Sequence, residues 1–278
     1  METYIIGEIG INHNGDIEIA KRLIDMAIQC GCNAVKFQKR TVDIVYTSDY
    51  LKSLRRSPWG MTQREQKEGL EFGKKQYDEI DCYCKERFID WSASAWDLES
   101  QKFLQEYDVP FNKIASAMLT YFPLLELIAS EGKPTFISTG MSNYEQIDEA
   151  VRIFQNNKCP FTLMHCVSTY PCPDEDCNIR MIPTLRDKYK CPVGYSGHEI
   201  GILPSVLAVS LGAEVIERHI TLDRSMYGSD QSASLEKRGL ELLVRDIRCV
   251  QSVFGDGQKR KIPSEEKTER SLRYFREY

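Results

Sequence analysis

The chain has 278 residues, a formal net charge of −5 and a pI near 5.6. That length is close to the roughly 250 residues of one (β/α)8 domain, and the acidic balance gives no basic footprint for nucleic acid, the largest Lys/Arg run being Lys259-Arg260-Lys261. No apolar run approaches the roughly 18 residues of a membrane span, and METYIIGE lacks the charged start of a leader, so a soluble cytoplasmic protein is expected.

Eight short apolar runs, each rich in Val, Ile, Phe or Ala and each closing on Glu, Lys, Ser or His, alternate with helical stretches. Strand one spans Tyr4 to Ile9; Asp16 caps the following helix, which Gly31 ends. Strand two is Ala34 to Phe37, followed by a long excursion from Thr41 to about Gly69 that contains the turn SPWGMT and the helix start REQKEGLEF. An excursion of that length is usually functional, as a lid or substrate rim. A helix around Tyr77 to Lys85 leads to strand three, Ile89 to Ser94. Strand four is Phe111 to Ala115, and the helix Pro123 to Ala129 stops at Gly132-Lys133-Pro134. Strand five is Thr135 to Ser138, with Ser142 or Asn143 as the next cap. Strands six, seven and eight are Phe161 to Cys166, Val193 to Ser196 and Glu214 to Arg218. An apolar, small-residue helix follows Pro204, and Leu235 to Phe254 closes the domain. The fold class is therefore α/β, a single (β/α)8 TIM barrel over residues 1–256 with a charged tail at 257–278.

Ten cysteines are present, and their spacing matches no zinc pattern. The C-x-C pairs Cys30/Cys32 and Cys82/Cys84 both fall in helical stretches, where i and i+2 point apart. Ten reduced thiols, several packed as small hydrophobes, are expected.

In a barrel the carboxyl ends of the strands build the active site. His198 and His219 end consecutive strands, so their imidazoles can converge on one divalent ion, with Mn²⁺, Fe²⁺, Co²⁺ and Zn²⁺ all suited to such donors. His165 also ends a strand; for any such histidine a plain hydrogen bond to backbone is the competing role. Lys36 and Lys113 serve either as an imine-forming amine or as fixed cations. The hydroxyls of Ser94, Ser116, Ser168 and Ser196 at other strand ends favour an anion cradle. Glu8 ends strand one and is the acid/base candidate. Gln38, Tyr170, Glu217 and Asp230 are rim candidates for sugar hydroxyls, while Arg218 faces outward by strand alternation and is structural.

The motifs EIGINHNG, VKFQ, KIAS, STGM, HCVSTYP, GYSGHE, ERHITLD and GSDQSASLE, collinear from Tyr4 to about Asp256, resemble the sialic acid (nonulosonate) synthase family. The SPWG…REQKEGLEF segment and the ERHITLD…GSDQSASLE stretch look closest to its animal-type, 9-phosphate branch. The resemblance implies a transferase that condenses phosphoenolpyruvate with the open-chain aldehyde of N-acetylmannosamine, mannose or a 6-phosphate of either. Lys36, Ser94, Lys113, Ser116, Ser168 and Ser196 would hold phosphoenolpyruvate. His198 and His219 would bind Mn²⁺ or Mg²⁺, Glu8 would act on the water or the aldehyde oxygen, and Gln38, Tyr170 and Asp230 would hold the sugar. Many members also carry a C-terminal antifreeze-like domain that closes a partner's site. Only seven residues follow PSEEKTERS, so no such domain is expected, and whether protomers pair into a homodimer stays open. The excursion after strand two, with Arg40, Lys52, Arg55 and Arg56, can substitute as a lid and contact a 6-phosphate. Competing readings are a phosphoenolpyruvate-dependent synthase for a shorter or diacetamido sugar, an aldolase using Lys113 as imine, and a non-catalytic sugar-binding barrel.

Overall fold

A computed structural model describes residues 2–275. Strands β1 (Tyr4–Gly10), β2 (Ala34–Lys39), β5 (Asp90–Ala95), β6 (Asn112–Ile114), β7 (Thr135–Ser138), β8 (Phe161–Cys166), β9 (Val193–Gly197) and β10 (Val215–His219) close one parallel barrel in that cyclic order. The remaining strands, β3 (Leu54–Ser57) and β4 (Gly60–Thr62), form an antiparallel hairpin within the excursion after β2. The expected TIM barrel is thus the observed fold. The eight expected strands coincide with the barrel strands, with ends shifted by at most two residues.

Local chemistry explains where the elements begin and stop. Asp16 accepts from the Glu18 and Ile19 amides at the start of helix Ile17–Cys30, and Gly31 ends it with φ 86°. Asn143, rather than Ser142, caps helix Tyr144–Asn156, in a capping box with Gln146. Within the excursion, Thr62 and Glu65 form another capping box at helix Gln63–Leu70. Trp59, at the hairpin turn, lies flat on Gly69, where any side chain would collide with the indole. The same indole meets the Tyr227 ring edge-on at 5.6 Å, so the hairpin is tied to the loop after β10 across the barrel mouth.

Two apolar clusters divide the core. The larger fills the space between barrel and helices; the smaller gathers Ile6, Ala34, Phe111, Met164 and Val215, with Tyr4 and Phe136 packed against it. Strand side chains alternate, so the residue two places further along each strand faces the same way. Ile6 is followed by Glu8, Ala34 by Lys36, Phe111 by Lys113, Phe136 by Ser138, Met164 by Cys166 and Val215 by Glu217. An apolar plug therefore seals the barrel beneath a polar layer at the carboxyl ends of the strands.

All ten cysteines are free thiols. Cys82 and Cys84 lie on helix Lys74–Glu86, but Cys32 lies past the Gly31 turn, outside the first helix where the spacing had placed it. Residues after Val253 carry a short exposed helix, Glu265–Leu272.

Candidate active site

The polar layer opens into a cavity of about 200 Å³ lined by Glu8, Lys36, Gln38, Ser94, Lys113, Ser116, Ser168, Tyr170, Ser196, His198 and His219. Every predicted site residue except Asp230 lies on its wall. Trp96, Ala115, Ala117, Ser138, Met141, Cys166 and Glu217 complete it.

Glu217 organises the floor. It is buried rather than placed on the rim, which corrects the sequence expectation, because alternation along β10 turns it inward above Val215. Its Oε1 lies 3.9 Å from Lys36 Nζ and 3.7 Å from Lys113 Nζ, and it accepts from Ser196 Oγ at 3.1 Å. Burial works against its ionisation, yet Lys113 and Lys36 hold the carboxyl below its ordinary range. Lys36 also donates to Ser94 Oγ at 2.9 Å and pairs with Glu8 at 2.7 Å. Lys113 donates to Ser138 Oγ at 2.7 Å, and burial, opposed by Glu217, draws its pKa down. Two ammonium groups thus share one carboxylate and face several hydroxyls.

A backbone donor joins them. The Gly140 amide donates to Ser116 Oγ at 3.1 Å, and a Cβ at Gly140 would run into Ser168 Oγ and lie 2.8 Å from Ser116 Oγ. Glycine here keeps both hydroxyls and the chain close together. Gly10, in the β1 bulge at φ 54°, does the same on the opposite wall, where a Cβ would meet Gln38 Nε2 at 3.0 Å and Glu8 Oε1 at 3.1 Å.

Burial is the largest influence on Glu8, pushing its pKa up to about 7 against the pull of Lys36, with Glu217 adding to the rise. Its Oε1 accepts from Gln38 Nε2 at 3.0 Å. Glu8 also sits in register with His219 on the neighbouring strand.

His198 and His219 come together as expected, with ring centroids 5.4 Å apart. His198 Nδ1 lies 2.8 Å from the Val167 carbonyl, which fixes that nitrogen as the protonated one and leaves Nε2 as an acceptor. His219 Nδ1 is buried without a hydrogen-bond partner, 3.8 Å from Asp230 Oδ2. Burial draws His219 down to about 4, so it is neutral at physiological pH. Two neutral-capable imidazoles and an orphaned ring nitrogen fit a divalent ion. Among the described residues no three His, Cys, Asp or Glu side chains gather as a ready-made cluster.

Tyr170 covers His198 with centroids 4.0 Å apart and remains half exposed at the mouth. Asp230 lines a second cavity that adjoins the first. His165 faces the other way, its Nε2 2.8 Å from the Cys177 carbonyl. Arg218 also faces outward, as alternation predicts, and is buried against Glu199 at 2.8 Å. Of the excursion's cations, Arg40 reaches the second cavity; Lys52 and Arg56 are exposed and line neither.

A closed barrel with a charged, hydroxyl-lined pocket at the carboxyl ends of its strands defines a (β/α)8 enzyme site. Residues 23–259 match the NeuB family, and the chain belongs to that family. It is 42% identical over 265 residues to N-acetylneuraminate-9-phosphate synthase of Homo sapiens, covering 94% of this chain and 74% of that protein. It is 38% identical over 272 residues to N,N'-diacetyllegionaminic acid synthase of Campylobacter jejuni, covering 96% of this chain and 81% of the other. The crystal structure of N-acetylneuraminic acid (sialic acid) synthetase from Leptospira borgpetersenii superposes with a TM-score of 0.86 at 34% identity, covering 99% of this chain and 94% of that one. The resemblance carried by the motifs is thereby established.

Proposed function

We propose that the chain is a nonulosonate synthase. It joins phosphoenolpyruvate to the open-chain aldehyde of an N-acetylmannosamine- or mannose-type sugar, plain or 6-phosphorylated, and releases phosphate by C–O cleavage. The observation that carries this reading is the pair of buried ammonium groups, Lys36 and Lys113, sharing Glu217 in a hydroxyl-lined pocket beside Glu8 and the two histidines. A dianionic three-carbon donor matches that charge and size. A lone desolvated lysine, as an imine mechanism needs, is not what the pocket holds.

In this reading Lys36, Lys113, Ser94, Ser116, Ser168 and Ser196 grip the phosphate and carboxylate of the donor. Gln38, Tyr170 and Asp230 hold the acceptor with its aldehyde toward Glu8. His198 and His219 would hold a divalent ion, Mn²⁺ or Mg²⁺, which when bound polarises a carbonyl oxygen. C3 of the enol attacks the aldehyde carbon, and protonated Glu8 gives its proton to the aldehyde oxygen. Glu217, beneath the donor, offsets the positive charge that develops at C2. Glu8, now a carboxylate, takes a proton from the water that adds at C2, which returns it to its starting form. The tetrahedral intermediate then loses phosphate and leaves a nine-carbon α-keto acid. Holding both reactants in one sealed mouth supplies much of the rate. The free thiols suit the reducing cytoplasm, where we place the enzyme.

The test is phosphate release from phosphoenolpyruvate with Mn²⁺ or Mg²⁺ and a panel of N-acetylmannosamine, mannose, their 6-phosphates, arabinose 5-phosphate and diacetamido hexoses. Turnover with a six-carbon acceptor supports the proposal; none with any acceptor returns the chain to the non-catalytic barrel.

A further inference from the structure

The loop from β8 to helix Met181–Tyr189 carries two thiols that the proposed chemistry does not use. Cys172 and Cys177 flank a single 3-10 turn, Asp174–Asp176, and their sulfurs stand 3.9 Å apart. Both thiols donate to the Pro173 carbonyl, at 3.4 and 3.6 Å. Both side chains are buried while Pro173, Asp174, Glu175 and Asp176 between them are exposed, so the pair lies just beneath the surface. Among the described residues no other two thiols share a hydrogen bond.

This loop is joined to the histidine side of the pocket. The Cys172 amide donates to the His198 carbonyl at 3.0 Å, and Cys172 forms a parallel bridge with Glu199. The Cys177 carbonyl lies 2.8 Å from His165 Nε2, on the strand that leads to Ser168. Two residues before Cys172, Tyr170 covers His198, and the Val167 carbonyl holds the same ring at Nδ1. Whatever restrains the two thiols therefore restrains the backbone that positions Tyr170.

We infer that Cys172 and Cys177 are a redox-sensitive modification site, at which a peroxide closes a disulfide that tethers the loop carrying Tyr170. A disulfide sets its sulfurs about 2.0 Å apart, so each has roughly 1 Å to move, which side-chain rotation and a small shift of the exposed turn supply. Burial pushes the Cys172 thiol up to about 12, with Cys177 adding to the rise; burial raises Cys177 as well, but the Tyr195 hydroxyl opposes it there. Cys177 is therefore the attacking sulfur. Its thiolate takes one oxygen of hydrogen peroxide as the O–O bond breaks, and the departing hydroxide picks up the proton that Cys177 released. Cys172 then attacks the sulfenic sulfur, the S–O bond breaks, and the oxygen leaves as water with the Cys172 proton. Two thiols are oxidised by two electrons, and one peroxide becomes two waters. Thiolate is scarce near neutrality, so oxidation is slow there and quickens as pH rises. A reversible disulfide in an otherwise reduced chain suits sensing rather than structural cross-linking. The thiol pair stands whether or not the chain is a synthase.

The full chain, reduced and then freed of reductant, is exposed to hydrogen peroxide at neutral and at alkaline pH, alkylated, digested and mapped by mass spectrometry. The segment holding Cys172 and Cys177 should lose two hydrogens and escape alkylation, faster at alkaline pH, and dithiothreitol should restore both thiols. Amides from Val167 to Asn178 should exchange hydrogen at least about fivefold more slowly in the oxidised chain. Cys172→Ser should stop at a sulfenic acid on Cys177 that dimedone traps; no label on Cys177 overturns its role as the attacking sulfur. Oxidation confined to other cysteines, such as the exposed Cys82 and Cys249, or a disulfide between two chains, overturns the site. A disulfide joining Cys172 to Cys177 that leaves exchange in the loop unchanged overturns the tether. The native chain alone gives the cross-link and exchange results, so both hold even where the variant does not fold.

Discussion

The Lys36 ammonium stands 2.7 Å from the Glu8 carboxylate, in a layer where both side chains are almost wholly shielded from water. Glu217 lies on the other side of Lys36 and reaches on to Lys113, so four ionisable groups share one sealed space. Any anion that enters competes with Glu8 for Lys36. In the proposed reading, donor binding and the proton on Glu8 are therefore linked.

The linkage has a direction. Burial lifts Glu8 to about 7, so its proton is present below that pH and lost above it. A cycle that begins with protonated Glu8 should show kcat falling on the alkaline side of neutrality. Glu8→Gln should remove that limb and lower kcat by roughly 10²–10⁴-fold. A pH profile of kcat on both forms is the check; an unchanged alkaline limb in the variant would reassign it to another group.

In the proposed reading Lys113 is a fixed cation rather than an imine. Lys113→Met should raise KM for phosphoenolpyruvate by about 10–100-fold, the worth of one charge-assisted buried contact. Borohydride with pyruvate should leave the native chain at its unmodified mass. A reduced pyruvyl adduct on Lys113 in the mass spectrum would overturn this role.

Gly140 can be tested without touching a charge. Gly140→Ala puts a methyl group against Ser168 Oγ and Ser116 Oγ, so donor KM should rise about tenfold or more. Steady-state kinetics with a melting curve separates this from general damage. A melting temperature that falls while KM holds would mean the glycine serves packing alone.

Arg218 should matter to stability and not to chemistry. It is buried, donates to Glu199 and to the Gly201 carbonyl at 2.8 Å each, and faces away from the pocket. Arg218→Met leaves Glu199 as a buried carboxylate without its cation, which costs about 3–5 kcal/mol. Thermal unfolding should register a drop on the order of 10 °C. Donor and acceptor KM should hold at low temperature.

The barrel was legible because its strands are short apolar runs ended by chemistry, and because each places its polar residue two positions beyond an apolar one, as Ile6 precedes Glu8 and Ala34 precedes Lys36. Alternation also placed Arg218 correctly. It would have placed Glu217 inward as well, had it been applied above Val215. What stayed hidden depends on distant segments meeting. The β3–β4 hairpin reads as LRRS and GMT, without an apolar stripe, and is held by Trp59 against Gly69 and Tyr227. Cys32 was misplaced because the Gly31 turn falls between it and Cys30.

The most direct test follows an oxygen. Phosphoenolpyruvate labelled with ¹⁸O at the C2–O–P bridge is incubated with the enzyme, the metal ion and an accepted sugar, and both products are weighed by mass spectrometry. The account predicts that the label leaves in the phosphate and that the nine-carbon keto acid takes its C2 oxygen from water. Label retained in the keto acid would mean P–O cleavage and would contradict the mechanism assigned to this site.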